Sequence, residues 1–470
     1  MRGKKLILYE LNEVPFRIFD HFAERMPGSA LARLCRHARA YATQSEDSGH
    51  LSPWVTWPTL HRGVTNLEHE ISHFGQDLRP VNRAMPPIWE LLARAGVKVG
   101  VFGSLHSHPL PDNLDNVSFH VPDTFAAGPE CFPKRYETFQ SFNLAMVDRA
   151  GRDVGRGIAL KEAAAFLAAA PGLGLRGRTV ARLAGQIAAE RLNPRRSVRR
   201  RTSQVQIAFD MFLKALGRDR PDMAFFFTNH VASSMHRYWP ALFPQDYERL
   251  QFGSDWLSTW DGEIPFAMRE AAEQLAQLTR FVDRNPDYAL LVASSMGQAA
   301  VQDRPRAERE LTLKSHARMA EALGLRDGEW SKERAMAPQF VFRVRPDRVA
   351  DFVARAETLR INGKPQPVTQ VSENRVCIDI GALNLTEDAI MVEIDGEPVD
   401  YKAVGLVNLS LQDAAGANAY HIPGGMLMVY DGPGTGESAR RSISTTEIAP
   451  SILASFGVER PGYMQAPLPL

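Results

Sequence analysis

The sequence predicts an α/β fold: a mostly parallel central sheet with helices on both faces, interrupted by a helical insertion and a small β-rich subdomain. Three observations carry this reading. Short apolar runs of five to six residues recur along the chain, they alternate with stretches whose apolar residues return every third or fourth position, and polar residues follow the runs at their carboxyl ends.

The first run, residues 6–11 (LILYEL), is nearly continuous, as in a strand buried on both faces. A helix is expected over 17–36 and a strand over 38–43, then a helix over 87–95 and a strand over 97–102. Residues 223–227 (MAFFF) form another strand, 264–282 a helix, and 288–293 the strand after it. Polar residues just beyond Leu11, Phe102, Phe227 and Ala293 then lie at strand ends, where such folds place their ligands. Residues 159–170, 179–192 and 204–216 read as three helical segments of an insertion. Between the last two lies NPRRSVRRR (193–201), whose five arginines at 195–201 are candidates to engage phosphate or an acidic partner, the alternative being a solvated loop. Strand-like pieces between Gly, Asn and Pro turns in 340–409 make a small α+β or β-rich subdomain. GGMLMVYDGPG (424–434) returns to the sheet, and 443–458 is expected as a final helix begun near a Thr cap. The core is thus read as 1–140, 218–339 and 411–470, with 141–217 as the helical insertion and 340–410 as the subdomain.

A chain of 470 residues can bury one large core with insertions, or two to three smaller domains. Its 55 Lys plus Arg balance 54 Asp plus Glu, so bulk charge gives no reason to expect a nucleic-acid partner. Cys35, Cys131 and Cys377 lie too far apart for a closely spaced thiolate cluster and suit a reducing compartment. The basic start leads into an apolar run interrupted by Glu10 and Glu13, which reads as a first strand and not a signal peptide. No apolar stretch approaches the ~20 residues that span a bilayer. A cytoplasmic location is expected.

Two segments carry chemistry. Residues 52–63 read SPWVTWPTLHRG, with Thr56 two residues before Pro58, and 290–298 read LLVASSMGQ, a strand entering a polar turn. The first resembles the nucleophile segment of the alkaline phosphatase superfamily, in its type I phosphodiesterase/nucleotide pyrophosphatase branch. There Thr-x-Pro is followed by Thr-Gly and a Pro-x-x-His-Gly-like stretch; here stand Thr56-Trp57-Pro58, Arg62-Gly63 and NLEHE at 66–70. The resemblance implies an alkaline phosphatase-like fold. It aligns Asn12 with the superfamily's first metal aspartate, Ala232 and His236 with a later Asp and His, Ser295-Met296 with an Asp-His pair, and His421 with the last metal histidine. TTEIAPSIL near the end matches a Thr-Asp-Ile-Ala-Pro-Thr segment, with Glu447 at the acidic position.

Of the six positions that would cradle two divalent ions, only His236 and His421 keep a ligating side chain. Zinc and magnesium need nitrogen, thiolate or carboxylate donors. The ion that would activate Thr56 lacks its outside ligands, because Asn12, Ser295 and Met296 align there. At most one divalent metal, such as zinc or manganese, is expected, on His236 and His421. A relocated centre would gather His230 beside these two, with Glu10, Glu13, His69, His106 and His108 as further candidates, or would act without metal by imidazole acid/base chemistry.

The roles follow from the resemblance. Thr56 is the candidate nucleophile or positioning residue, and His236 and His421 are ligands or acid/base groups. Asn12 and Ser295 are candidate substrate contacts by the same alignment; from residue type and position, Arg62 and Arg237 are candidates because a guanidinium can fork onto an anionic group, the alternative being ordinary salt bridges, and His230 because it follows the same strand as His236. Trp54, Trp57, Tyr238 and Trp239 either line a pocket or pack. The function implied is a phosphatase- or phosphodiesterase-like hydrolase or transferase acting on a small anionic ester or a phosphorylated or sulfated metabolite. The alternative is a catalytically inactive relative that binds a ligand or a protein partner.

Overall fold

The computed structural model of the protein describes residues 3–149, 160–434, 436 and 439–468. Its core is a mixed sheet of eight strands: β1 (Lys5–Leu11), β2 (Arg39–Gln44), β3 (Val99–Phe102), β4 (Val117–Val121), β5 (Met223–Thr228), β6 (Tyr288–Ser294), β7 (Gly424–Tyr430) and β8 (Arg441–Ser444). They lie in the order β8-β2-β7-β6-β1-β5-β3-β4. β7 runs against both its neighbours, and every other pairing is parallel.

The continuous apolar runs are explained by burial on two sides. Along β1, Ile7, Tyr9 and Leu11 enter one apolar layer, while Leu6 and Leu8 enter the other. The same alternation sends Ala224 and Phe226 of β5 one way and Met223 and Phe225 the other. Each fully buried Leu or Ile contributes about 1.5–3 kcal/mol. The first layer is covered by helices Phe16–Arg25, Ala30–His37, Arg200–Asp219 and Glu263–Arg284. The second is covered by Pro53–Arg62, Ile88–Arg94 and Ile448–Ser455.

Two expected elements are corrected. The single helix over 17–36 is two helices: the chain breaks after Arg25 through Met26, Pro27 and Gly28, and Ser29 recaps it by accepting from the Ala32 amide. The final helix does not begin at 443. Residues 441–444 pair with β2 as a strand, and Ser444, not a threonine, caps the turn through a reciprocal bond with Glu447.

Helices Leu160–Leu173 and Gly177–Leu192 precede Arg200–Asp219; position 159 of the expected first segment lies outside the described residues. Arginines fasten this region to the Glu263–Arg284 helix: Arg178 to Glu273 at 3.0 Å, Arg182 to Glu270 at 3.3 Å, and Arg199 to Glu263 at 2.6 Å. Two arginines of the basic run thus meet carboxylates of their own chain, Arg199 on Glu263 and Arg200 on Glu190 at 2.7 Å. A separate apolar cluster draws on residues from Leu311 to Leu406 and underlies two four-stranded antiparallel sheets.

Candidate functional site

Three elements meet beyond the carboxyl ends of β1, β5 and β6. Glu13 follows β1 by two residues and takes a left-handed backbone (φ 58°), an uncommon conformation for a non-glycine residue. His236 sits on the helix His230–Leu242, which starts two residues after β5. His421 sits on the short strand Ala419–Ile422, which pairs antiparallel with Gly297–Ala300 just after β6. That pairing places Gln298 directly across from His421. It also demands a glycine at 297, because a Cβ there would run into the Gly424 carbonyl oxygen.

A proline stitches the two histidine elements together. Pro240 inside the His230–Leu242 helix has no N–H to offer the carbonyl four residues back, which is that of His236. The vacated carbonyl accepts from the Asn418 amide at 2.7 Å. The His236 ring returns the contact, donating from Nδ1 to the Ala419 carbonyl at 2.7 Å, and Asn418 Nδ2 donates to the Arg237 carbonyl at 2.8 Å. His421 is fixed in the same manner, its Nδ1 donating to the Leu51 carbonyl at 2.6 Å.

Because a carbonyl only accepts, both Nδ1 atoms carry hydrogen, and both Nε2 atoms are left to face Glu13. His236 Nε2 lies 3.0 Å and His421 Nε2 3.3 Å from the same oxygen, Glu13 Oε2. Gln298 Nε2 donates to that oxygen as well, while Asn12 Nδ2 donates to Oε1 at 2.7 Å. Asn12 is held in turn by Trp57 Nε1 at 2.8 Å and by Asn229 at 2.7 Å. Burial opposes a charge on Glu13, but the two imidazoles outweigh it and hold the carboxyl well below its usual range. Burial likewise pulls His236 down, and Glu13 more than offsets it, leaving that imidazole above its ordinary value.

Two imidazole lone pairs and a carboxylate oxygen at these separations repel unless a cation lies between them, either protons or a metal ion. The donor set fits a metal. Zinc bonds of about 2.0–2.2 Å at tetrahedral angles put neighbouring donors about 3.3 Å apart. Imidazoles that ligate metals give their other N–H to a carbonyl or carboxylate, as both do here. Glu13, His236 and His421 present ligand atoms all within 4.8 Å of one another, a cluster able in principle to hold one divalent ion.

The remaining expected site residues lie elsewhere in the hydrogen-bond network. Thr56 is fully buried, its hydroxyl shared with Ser295 Oγ at 2.7 Å and directed to the Ser52 carbonyl at 3.2 Å. His230 does not join the other two histidines: Nδ1 meets Thr228 Oγ1 at 2.5 Å and Nε2 donates to the Ala267 carbonyl at 3.1 Å. Arg62 is fully buried and bonds Asn82 at 2.7 Å, with burial pulling its guanidinium down to about 10. Arg237 is paired with the buried Asp413, which also accepts from Tyr238 at 2.8 Å. Glu10 pairs with His61 at 2.6 Å and accepts from Ser104 at 2.7 Å; His69 meets Thr59 at 3.0 Å, and His108 faces Glu130 at 3.8 Å. His106 has a backbone task. Pro58 vacates the Trp54 carbonyl, and His106 Nε2 donates to it at 2.7 Å.

Burial holds His230 down at about 4, against about 6.5 for an exposed imidazole. The unfolded chain therefore takes up this proton first, so the stability tied to a neutral His230 is complete above about pH 6.5 and is lost as pH falls toward 4, by ~3 kcal/mol. Urea titrations of the parent and His230→Gln between those pH values should show a shallower loss in the variant; equal slopes would contradict this assignment.

Gln298, Tyr420 and His50 were missed by the sequence reading. The Tyr420 ring lies tilted against those of His421 and His236, with centres 4.2 Å and 5.6 Å away, and its hydroxyl meets His50 Nε2 at 3.1 Å. The dipeptide Tyr420-His421 and the polar Gln298 ending the SSMGQ turn were the available signals.

Fold and centre together define a mixed α/β protein carrying a His-His-Glu cluster at the ends of its central strands. In structure the chain is distantly similar to phosphatases and phosphodiesterases. Murine ectonucleotide pyrophosphatase/phosphodiesterase 5 overlaps 97% of this chain and 96% of its own at 9% identity, with a TM-score of 0.40. The alkaline phosphatase PafA overlaps 100% and 99% at 11% identity with a TM-score of 0.44, and Thermus thermophilus alkaline phosphatase 97% and 92% at 15% with 0.40. No family model matches the sequence, and no curated protein matches it either. Among the described residues no helix is long and apolar enough to cross a membrane.

Proposed function

We propose that this protein hydrolyses a small anionic ester at a single-metal centre held by Glu13, His236 and His421. One observation carries the reading: two imidazoles pinned through Nδ1 to backbone carbonyls direct both Nε2 atoms at one carboxylate oxygen. A divalent ion held there supplies Lewis acidity and a water that ionises near neutral pH. The chain's own residues do the rest. Asn12 and Gln298 orient Glu13, Trp57 orients Asn12, and the Asn418 backbone keeps the two rings in register. In the overall reaction a water oxygen bonds to the central atom of the acyl, phosphoryl or sulfuryl group, the ester bond to the alcohol oxygen breaks, and the alcohol leaves with a proton. Thr56, buried against Ser295, is assigned to packing and not to nucleophilic attack.

The test is metal analysis after dialysis, paired with turnover of a panel of phosphate and sulfate esters with and without added zinc or manganese. Stoichiometric metal and metal-dependent turnover support the reading. Metal without turnover assigns the protein to the second reading, a non-catalytic binder, which the enclosure of Thr56 favours. Absence of bound metal removes the centre. Thr56→Ala should leave metal content and turnover unchanged while lowering stability by about 1–2 kcal/mol in a denaturant titration, from a lost hydrogen bond and methyl group. A large loss of turnover at unchanged stability would return Thr56 to the chemistry.

A further inference from the structure

The helix Gly177–Leu192 of the insertion turns its apolar side outward, the reverse of an ordinary surface helix. Val180, Ala184, Ile187, Ala188 and Leu192 recur at spacings of three and four, which sets them along one side of the helix, and all five are exposed. Leu192 is 89% exposed, Ile187 49% and Val180 47%. The polar residues of the helix point the other way. Arg182 pairs with Glu270 and Glu273, and Glu190, the one carboxylate of the helix, accepts from Arg200 and Gln186. The exposed side therefore carries no acidic residue. Where the helix ends, Arg191, Arg195 and Arg196 are exposed, and none of these three side chains makes a hydrogen bond or ion pair among the described residues. Arg199 and Arg200 face Glu263 and Glu190 instead. The basic run is thus divided between arginines that fasten the insertion and arginines open to solvent.

We propose that this helix docks the protein onto an anionic lipid surface, with Val180, Ile187 and Leu192 entering the headgroup boundary while Arg191, Arg195 and Arg196 meet lipid phosphates. An apolar helix side with cationic flanks is the pattern that lies in the plane of a bilayer interface. The long arginine side chains keep their charge at the headgroup level while their stems cover apolar surface. The charge favours lipid over the other occupants of such a face. A second copy of the chain would bring its own unpaired arginines against these, at an electrostatic cost. Apart from arginine, the exposed side offers no hydrogen-bonding side chain to hold one protein partner in register, and alanine and glycine separate its larger residues. A fluid layer of acyl chains and phosphates needs neither shape nor register. The proposal is independent of the metal centre.

The test is co-flotation of the full chain with phosphatidylcholine vesicles, with or without phosphatidylserine as about a third of the lipid. The parent should float with the anionic vesicles far more than with the neutral ones, and raising the salt from about 0.1 M to about 0.5 M should release it. Replacing Arg191, Arg195 and Arg196 together by Gln should weaken partitioning by about 100-fold, roughly fivefold for each charge. The double variant Ile187→Ser, Leu192→Ser should weaken it by about tenfold or more. All five side chains are exposed, so both variants should keep the parent's urea midpoint, which separates lost docking from lost folding. A parent that ignores anionic vesicles, or binds neutral ones equally well, overturns the proposal. Folded variants that float like the parent overturn it too. A parent that sediments as a dimer without lipid, and that the double variant renders monomeric, assigns the face to a second copy and overturns the lipid assignment.

Discussion

Glu13→Gln is expected to lower zinc affinity by at least about 100-fold while leaving the fold intact. Groups that only support a metal ligand are worth about 10–100-fold, and here the sole charged donor of the proposed centre is itself removed. The amide keeps the size of the carboxylate, so Asn12 still finds an acceptor at Oε1 and the turn after β1 is not disturbed sterically. What disappears is the negative charge toward which both Nε2 atoms point. Competition against a chromophoric chelator gives the affinity, and circular dichroism reports whether the fold survives. Unchanged affinity in a folded variant would remove Glu13 from the centre.

Gly297→Ala is expected to cost about 2–4 kcal/mol of stability and to weaken zinc binding with it, because the added methyl meets the Gly424 backbone and the Pro15 side chain. Gly297 lies where the strand after β6 pairs with the strand bearing His421, so any displacement moves a residue of the proposed centre. Gly424→Ala is the control. Its added Cβ would meet only the Gln44 side chain, at 4.0 Å, and it should change the urea midpoint little. If both variants unfold at the parent's midpoint, the close approach at 297 is not a constraint on the fold.

The fold was legible where strands are buried on both faces, because such strands read as uninterrupted apolar runs; 6–11, 223–227 and 288–293 all appear as sheet strands. The break at Pro27-Gly28 was read through, since the flanking apolar spacing continues on either side and only the Ser29 cap marks the restart. In the site, the resemblance singled out His236 and His421 by alignment, and the structure brings the two together with Glu13. Glu13 was one candidate among several, because its role depends on a left-handed turn that no local pattern announces. His230 looked equivalent to His236, but it opens the helix and finds Thr228 and the Ala267 carbonyl instead. Thr56 and Arg62 were read as site residues from their surroundings in sequence; their enclosure arises from distant segments, Ser295 for one and Asn82 for the other. Short motifs carry residue identity, while solvent access belongs to the assembled tertiary structure.

The carbonyl that Pro240 leaves unclaimed ties retention of an ion to the integrity of a strand far along the chain. Detaching residues 418–421 would remove one donor outright and free the other to rotate, so under the proposed single-metal reading binding of the cation and attachment of that segment would be thermodynamically linked. A bound ion would act as a clasp on the sheet margin, and conditions that loosen the margin would empty the centre before the core melts.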